Sequence, residues 1–523
     1  MNDYILAIDL GTSGPKVALV STTGKVAAFA FEETPIYLAD QESAEQNPDD
    51  WWNAILHAAK KVLATATIPA EKIRAVSCTA QWSGTVAVGQ NGQPLQNAII
   101  WMDARGAKFV PKITRGLLNV QGYSLRKLIT WLRLTGGVPG MAGKDSIAHI
   151  LYLKNVRPEI YQKTYKFLEP KDYLNLKLCG KYAATFDSMA LHWITDNRDL
   201  SNVTYDEGLV EWSTIHREKL PELTYAVSIL GPIKKEVAAE LGLSESVQVI
   251  AGAPDVQSAA IGSGAVLDFQ AHLYIGTSSW LTCHVPFKKT DLLHHIATLP
   301  SAISNRYFVA NEQENAGVCL KFLKKALFPD HAESPGSAEH DIPFDRFETQ
   351  IQNVPAGSER VIFTPWLNGE RTPVENHLVR AGFHNLSLQT TRAHLIRAVY
   401  EGVALNSRWL LGHVEKFVKK KFEAINLIGG GANSRAWCQI HADILNRPIR
   451  QMKDPIQANL RGAAFLAAVA LGQLKFQDIP NQVQIAETFH PNSSNRQIYD
   501  ELFKEFVNLY HKNKKIYFRL NNR

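Results

Sequence analysis

The chain has 523 residues, 45% apolar and 20% charged, with a formal charge of +6. A single hydrophobic core stops growing well short of that length, so two large domains are expected, of ordinary globular composition. Part of the positive excess lies in Lys512, Lys514, Lys515, Arg519 and Arg523, without the aromatic-and-basic array of a nucleic-acid binder, so no nucleic-acid partner is expected.

Cys78, Cys179, Cys283, Cys319 and Cys438 are scattered, with no C-x-x-C pair. That excludes a disulfide scaffold and a structural zinc site, and suits a reducing compartment. No basic stretch followed by an apolar one opens the chain, and the longest apolar run, Ala463 to Leu471, is about half a bilayer span. No membrane partner and a cytoplasmic location are expected.

In chain order, Tyr4 to Leu10, Lys16 to Val20 and Val26 to Phe31 are apolar and β-rich, separated by the turns Gly11-Thr12-Ser13-Gly14 and Thr22-Thr23-Gly24-Lys25. They predict a β-meander. Asp49 to Ala64 has helical apolar spacing, Ile73 to Ala80 and Thr85 to Val88 read as strands, and strands and helices alternate onward, giving an α/β class. Val247 to Ile250 is a strand running into Ala251-Gly252-Ala253-Pro254-Asp255. Near residue 260 the pattern restarts, with Ala271 to Ile275, the turn Gly276-Thr277-Ser278-Ser279, and Trp280 to Val285. Two strand, Gly-Thr-Ser turn, strand units point to duplicated halves facing across a cleft. Phe328 to Phe344 reads as an exposed loop. Ile425 to Ile428 is a strand leading into Gly429-Gly430-Gly431-Ala432-Asn433-Ser434, followed by a helix from Arg435 to Leu445 with Asn433 or Ser434 as N-cap. A small-residue helix follows over Gln457 to Leu471, and Leu502, Phe506, Leu509 and Tyr510 mark a last helical run.

The chain lacks G-x-x-x-x-G-K-[ST], a G-x-G-x-x-G between strand and helix, H-E-x-x-H and G-x-S-x-G, which removes P-loop, dinucleotide-fold, zinc-protease and esterase readings. What remains are glycine turns with hydroxyl side chains, whose backbone N–H groups make anion sites suited to phosphates. Asp9, at the mouth of the first turn, is placed to hold Mg²⁺ or its waters, or to cap the turn. The triple glycine leaves room for a flat ring against its backbone, or is a tight strand-to-helix turn. Asp255 is a lone carboxylate at a strand end, a candidate base and equally a helix cap.

These motifs, in this order, resemble the FGGY family of carbohydrate kinases and within it the xylulokinase-like branch. Asp9-Leu10-Gly11-Thr12-Ser13 and Ile275-Gly276-Thr277-Ser278 resemble its two phosphate motifs, Gly429 to Asn433 its adenosine motif, and Gly252 to Asp255 its catalytic-base segment. Trp101-Met102-Asp103-Ala104-Arg105 resembles the W-x-D-x-R near the sugar, Gly369 to Pro373 the G-E-R-x-P loop, and Ala381 to Glu401 the C-terminal signature. His149, Tyr152 and Asn385 depart from the signatures, standing where Lys, Trp and Gly are usual. Trp82 and Ser83 replace the Met and His of the sugar loop, and Val256 the Asn or Gln after the base.

The resemblance implies a duplicated actin-like ATPase fold of RNase-H-like domains. Residues 1–262 would carry the sugar and first phosphate motif, 263–475 the second phosphate and adenosine motifs, and 476–523 a tail with a helix. It implies ATP and Mg²⁺, and Asp255 as the base that deprotonates a sugar hydroxyl. Gln81, Trp82, Asp103 and Arg105 would meet the sugar. Gly11, Thr12, Ser13, Lys16, Gly276, Thr277, Gly430, Gly431, Ala432 and Asn433 would bind ATP, and Asp9 the metal. The partners are then a small sugar and ATP, with a homodimer left open. D-xylulose leads the substrate expectations, ahead of ribulose or gluconate, and a sensor that has lost catalysis or an actin-like assembly ATPase is the rival class.

Overall fold

The structure is a computed structural model, and it describes residues 3–327 and 344–522. All but the last residue of the loop expected over 328–344 lies outside them. Two sheets organise the chain, one from each half. In the first, β1 (Tyr4–Gly11), β2 (Gly14–Ser21) and β3 (Val26–Phe31) form the expected meander. On the other side of β1 follow β4 (Ile73–Ala80), β5 (Ile229–Pro232) and β6 (Gln248–Ile250), in the order β5-β6-β4-β1-β2-β3. The β1–β4 and β4–β6 pairings are parallel and the outer ones antiparallel.

The second sheet repeats this plan. It contains β7 (Ala271–Ile275), β8 (Ser279–Thr282), β9 (Ile425–Ile428), β10 (Ile449–Met452) and β11 (Ile485–Phe489), in the order β8-β7-β9-β10-β11. Its inner pairings are parallel and its outer ones antiparallel. The expected return strand from Trp280 to Val285 is broken, with His284–Val285 pairing into a separate four-stranded sheet.

Helices cover the faces of both sheets. Helix α1 (Pro48–Thr65) is capped by Asn47, with proline in its first turn, and buries Trp51, Ile55, Ala59 and Val62 against the first sheet. The long helix α2 (Arg392–Val418) carries the second core with Tyr400, Val403, Leu410 and Val414. Residues 476–523 supply the edge strand β11 and helix α3 (Arg496–Asn521), whose Tyr499, Leu502, Phe506 and Tyr510 lie in that same core.

One helix crosses between the halves. Ala458–Ala470 packs Leu460, Ala463, Ala464 and Ala467 against Ile5, Ala7, Ala18 and Val20 of the first sheet. It also crosses helix Asp255–Gly262 backbone to backbone. A Cβ on Gly262 would lie 1.8 Å from the Ala458 carbonyl oxygen, and one on Gly462 would lie 1.9 Å from that of Ser258. Only glycine permits so close a crossing. It locks the helix that begins at Asp255 to both halves. All five cysteines are free thiols. Among the described residues no helix is long and apolar enough to cross a membrane.

Candidate active site

The first hairpin presents a charged pair. Asp9 and Lys16 are cross-strand partners, and the Lys16 ammonium donates to Asp9 Oδ2 at 3.0 Å. Asp9 is 1% exposed, and its charge holds the Lys16 ammonium above the usual lysine range. Asn459, on the crossing helix, reaches the other oxygen, Oδ1, at 3.4 Å. A Cβ on Gly11 would meet only ordinary contacts, the nearest being the Gly14 carbonyl oxygen at 3.5 Å, so a methyl group would fit there without a clash. Ser13 is exposed.

Thr12 is tied to the loop at Gln81. Its hydroxyl donates to Gln81 Oε1 at 3.2 Å and accepts from Trp101 Nε1 at 3.0 Å. Gln81 is buried and donates in turn to Gln46 Oε1 at 2.7 Å, while Gln46 donates to the Thr12 carbonyl at 2.9 Å. This closed ring couples the first hairpin turn to the loop at Gln81, and Gln46 gave no signal in the sequence. Trp82 is partly buried and donates from Nε1 to the Ser188 carbonyl at 2.9 Å. Ser83 has φ +67°, a left-handed conformation uncommon for serine, held by its hydroxyl on the Lys144 carbonyl at 2.6 Å.

Asp103 is turned inward, accepting from the Ala44 amide at 2.9 Å and from Arg105 N and Nε at 3.0 and 2.8 Å. Arg105 also reaches Glu45 at 2.6 Å and lies 4.5 Å above the Tyr152 ring. This gives Tyr152, a departure from the signature, a role. His149 is buried on Thr85 and the Asp103 carbonyl, and burial pushes its pKa down to about 4, so it is a neutral core residue.

Asp255 is the first residue of its helix, and Oδ1 accepts from the Val256 amide at 2.8 Å. Its pKa is pushed up to about 7, mainly by burial and next by the negative charge of Asp9, against the opposing pull of the Val256 amide and Lys16. Glu312, from the second half, adds to the rise. Asp9, Lys16 and Asp255 are therefore brought together. Three residues brace the segment around Asp255. Lys171 Nζ and Asn175 Nδ2 both donate to the Ala251 carbonyl, at 2.9 and 2.8 Å, and Gln257 bonds the Pro300 carbonyl and the Ala302 amide across the halves. None of the three stood out in the sequence, because each contact joins distant segments.

In the second half, Thr277 is exposed at the tip of the second turn. Of the triple glycine, Gly430 alone faces open space. A Cβ on Gly429 would strike the Ile275 carbonyl oxygen at 2.5 Å, and one on Gly431 would strike the Ile275 side chain at 2.4 Å. Gly430 to Asn433 form a short 3-10 turn, Ala432 is buried, Asn433 is exposed, and Ser434 is the cap, accepting from the Trp437 amide at 3.0 Å. The G-E-R-x-P loop is anchored by Arg371 on Glu312 and Glu314, and by Glu370 on Asn406. Asn385 has φ +64°, a conformation that asparagine tolerates better than most residues, which is why it can stand where glycine is usual.

The comparisons agree with this architecture. The model of the FGGY family of carbohydrate kinases, N-terminal domain, matches residues 4–262, and that of its C-terminal domain matches residues 272–471. The chain is 27% identical over 515 residues to a xylulose kinase of Bacillus subtilis, covering 97% of this chain and 96% of that protein. A gluconate kinase structure from Lactobacillus acidophilus superposes with TM-score 0.86 at 27% identity, covering 99% of this chain and 100% of its own. A ligand-bound xylulose kinase from the same organism gives 0.85 at 27%, covering 99% of each. With the duplicated sheets, the hairpin turns and the two family domains in register, the chain belongs to the FGGY family of carbohydrate kinases.

Proposed function

We propose that this sugar kinase transfers the γ-phosphate of ATP to a hydroxyl of a small ketose, D-xylulose first, with Asp255 as general base. The observation that carries this is the Asp255 carboxylate, with a pKa of about 7, electrostatically coupled to the Asp9–Lys16 pair of a phosphate-type turn. In the step, Asp255 takes the hydroxyl proton, the sugar oxygen bonds to the γ-phosphorus, and the bond from that phosphorus to the β–γ bridging oxygen breaks, leaving ADP. Gly11, Ser13, Gly276 and Thr277 offer the phosphate-binding backbone and hydroxyls, Lys16 the cation, and Gly430 the open face for the nucleobase. Gln81 and Thr12, through their mutual bond, hold the sugar loop and first turn in register. Asp103 and Arg105 brace the Glu45 segment beside them, and Trp82 lines the loop.

Asp9 is the residue that would hold Mg²⁺. Among the described residues no group of three or more His, Cys, Asp or Glu could cage a metal, which suits an ion bound through one or two carboxylates and the substrate phosphates. Bound there, the ion would neutralise phosphate charge.

A neutral sugar is favoured by the pairing of the cations. Arg105 is matched by Asp103 and Glu45, Arg371 by Glu312 and Glu314, and Lys16 by Asp9. Gluconate is the second reading, supported by the likeness to the gluconate kinase; Lys144, whose charge acts on Glu312 and Glu314, is the cation that would meet its carboxylate. A coupled ADP-release assay over ketoses, polyols and aldonates tests both. Turnover with D-xylulose and none with gluconate supports the first, and the reverse supports the second. Sugar-independent hydrolysis, or binding without turnover, overturns both. Asp255→Asn should keep ATP binding and lose about 10²- to 10⁴-fold in kcat. Retained transfer in that variant removes the proposed base.

A further inference from the structure

Tyr274 has no part in the chemistry above, yet it holds in the second hairpin the place that Asp9 holds in the first. Each lies two residues before its turn glycine and each has a cross-strand partner, Lys16 for Asp9 and Trp280 for Tyr274. The Tyr274 ring lies flat on Trp280, with centroids 3.9 Å apart and planes within 9°. Its hydroxyl end folds over the phosphate-type turn: a Cβ on Gly276 would lie 2.2 Å from Tyr274 Oη. Its other edge closes on the triple glycine, where a Cβ on Gly429 would lie 3.0 Å from Tyr274 Cε2. The ring is thus wedged between the two motifs of the second half that the proposed function assigns to the nucleotide.

The hydroxyl is the part of this wedge with chemistry to offer. Leu273 and Ile275, on either side in the strand, are fully buried, while Tyr274 is partly open. No described residue is hydrogen-bonded to the hydroxyl. The charges that act on it are Lys16, Asp255 and Asp9, all from the opposite half, while the hydroxyl itself lies over the Gly276 turn. Burial holds the phenol up at about 12, and it remains a neutral O–H donor throughout the range in which Asp255 titrates.

We propose that Tyr274 is a further catalytic residue, donating a hydrogen bond from its hydroxyl to the phosphoryl group in transfer. This rests on the phosphate-binding reading of the second turn. Charge in that transition state spreads over the phosphoryl oxygens, and a fixed donor aimed there lowers the barrier without reorganising. Lys16 supplies a cationic donor from the first hairpin, and Tyr274 supplies a neutral one from the second. Tyr274 forms no covalent bond and keeps its proton.

Tyr274→Phe tests this, because it keeps the ring, the stack on Trp280 and the packing over Gly276 while removing one oxygen. In sugar-dependent ADP release, kcat should fall about 10- to 100-fold, with KM for the sugar and the melting temperature unchanged. A kcat within twofold of wild type overturns the proposal. So does a fall matched by a lower melting temperature, which marks a packing role. Wild-type protein without sugar-dependent turnover would instead defeat the proposed function, and this role with it, so the two failures are told apart by the wild-type control.

Discussion

The two hairpins share a backbone plan and differ in what their cross-strand pairs carry. In the first, Asp9 and Lys16 form an ion pair 3.0 Å apart beside a glycine that a Cβ would not crowd. In the second, Tyr274 and Trp280 form an aromatic stack, and the space above Gly276 is filled by the tyrosine itself. The glycines that look equivalent in sequence are therefore kept for different reasons. A Cβ at Gly11 would make only ordinary contacts, whereas Gly276 makes room for a neighbouring side chain. The same turn thus occurs twice with different electrostatics, and under the proposed function the charged pair would tune a metal and a base while the neutral pair would fix a donor.

The sharpest way to break this comparison is to remove the charge of the first pair. Asp9→Asn should lower kcat by about a hundredfold and raise the Mg²⁺ concentration needed for half-maximal rate. Unchanged Mg²⁺ dependence would show that Asp9 serves the turn alone. Next come the glycines. Gly276→Ala should cost about 1–3 kcal/mol of stability by forcing the Tyr274 ring aside, while Gly11→Ala should stay within about 0.5 kcal/mol in urea melts. Adding Tyr274→Ser to Gly276→Ala should recover part of the loss. Equal costs at the two glycines would erase the distinction.

The pH profile offers a finer test. Only the ionised Asp255 accepts a proton, so kcat/KM should fall below about pH 7 and level off above it. Asp9 raises the Asp255 pKa by charge repulsion, so Asp9→Asn should move the acid limb to lower pH, whereas Tyr274→Phe, removing a neutral group, should leave it in place. The same shift also has a consequence for stability. A folded-state pKa raised above the ordinary carboxylate range favours the protonated carboxyl, so folding stability is lost as pH rises from that ordinary range up to about 7. Asp255→Asn should therefore melt higher than wild type at pH 8 and equally at pH 4. A lower melting point at pH 8 would contradict the raised pKa.

Much of this was legible along the chain, because strands, caps and turns depend on neighbours. The meander, the two Gly-Thr-Ser turns, the Ser434 cap and the α/β alternation follow from local periodicity and turn chemistry. Aligning the two hairpins by their turn glycines sets Tyr274 at the position of Asp9, a signal present in the sequence. The repeat and its motif order thus determined the fold class and the candidate base. Tertiary structure alone decided what surrounds them, since burial and Coulomb coupling arise between segments far apart in the chain. It brought Asp9 and Asp255 close enough to shift a pKa, carried helix Ala458–Ala470 onto the other half's sheet through the glycine crossing, and set the Tyr274 hydroxyl over Gly276.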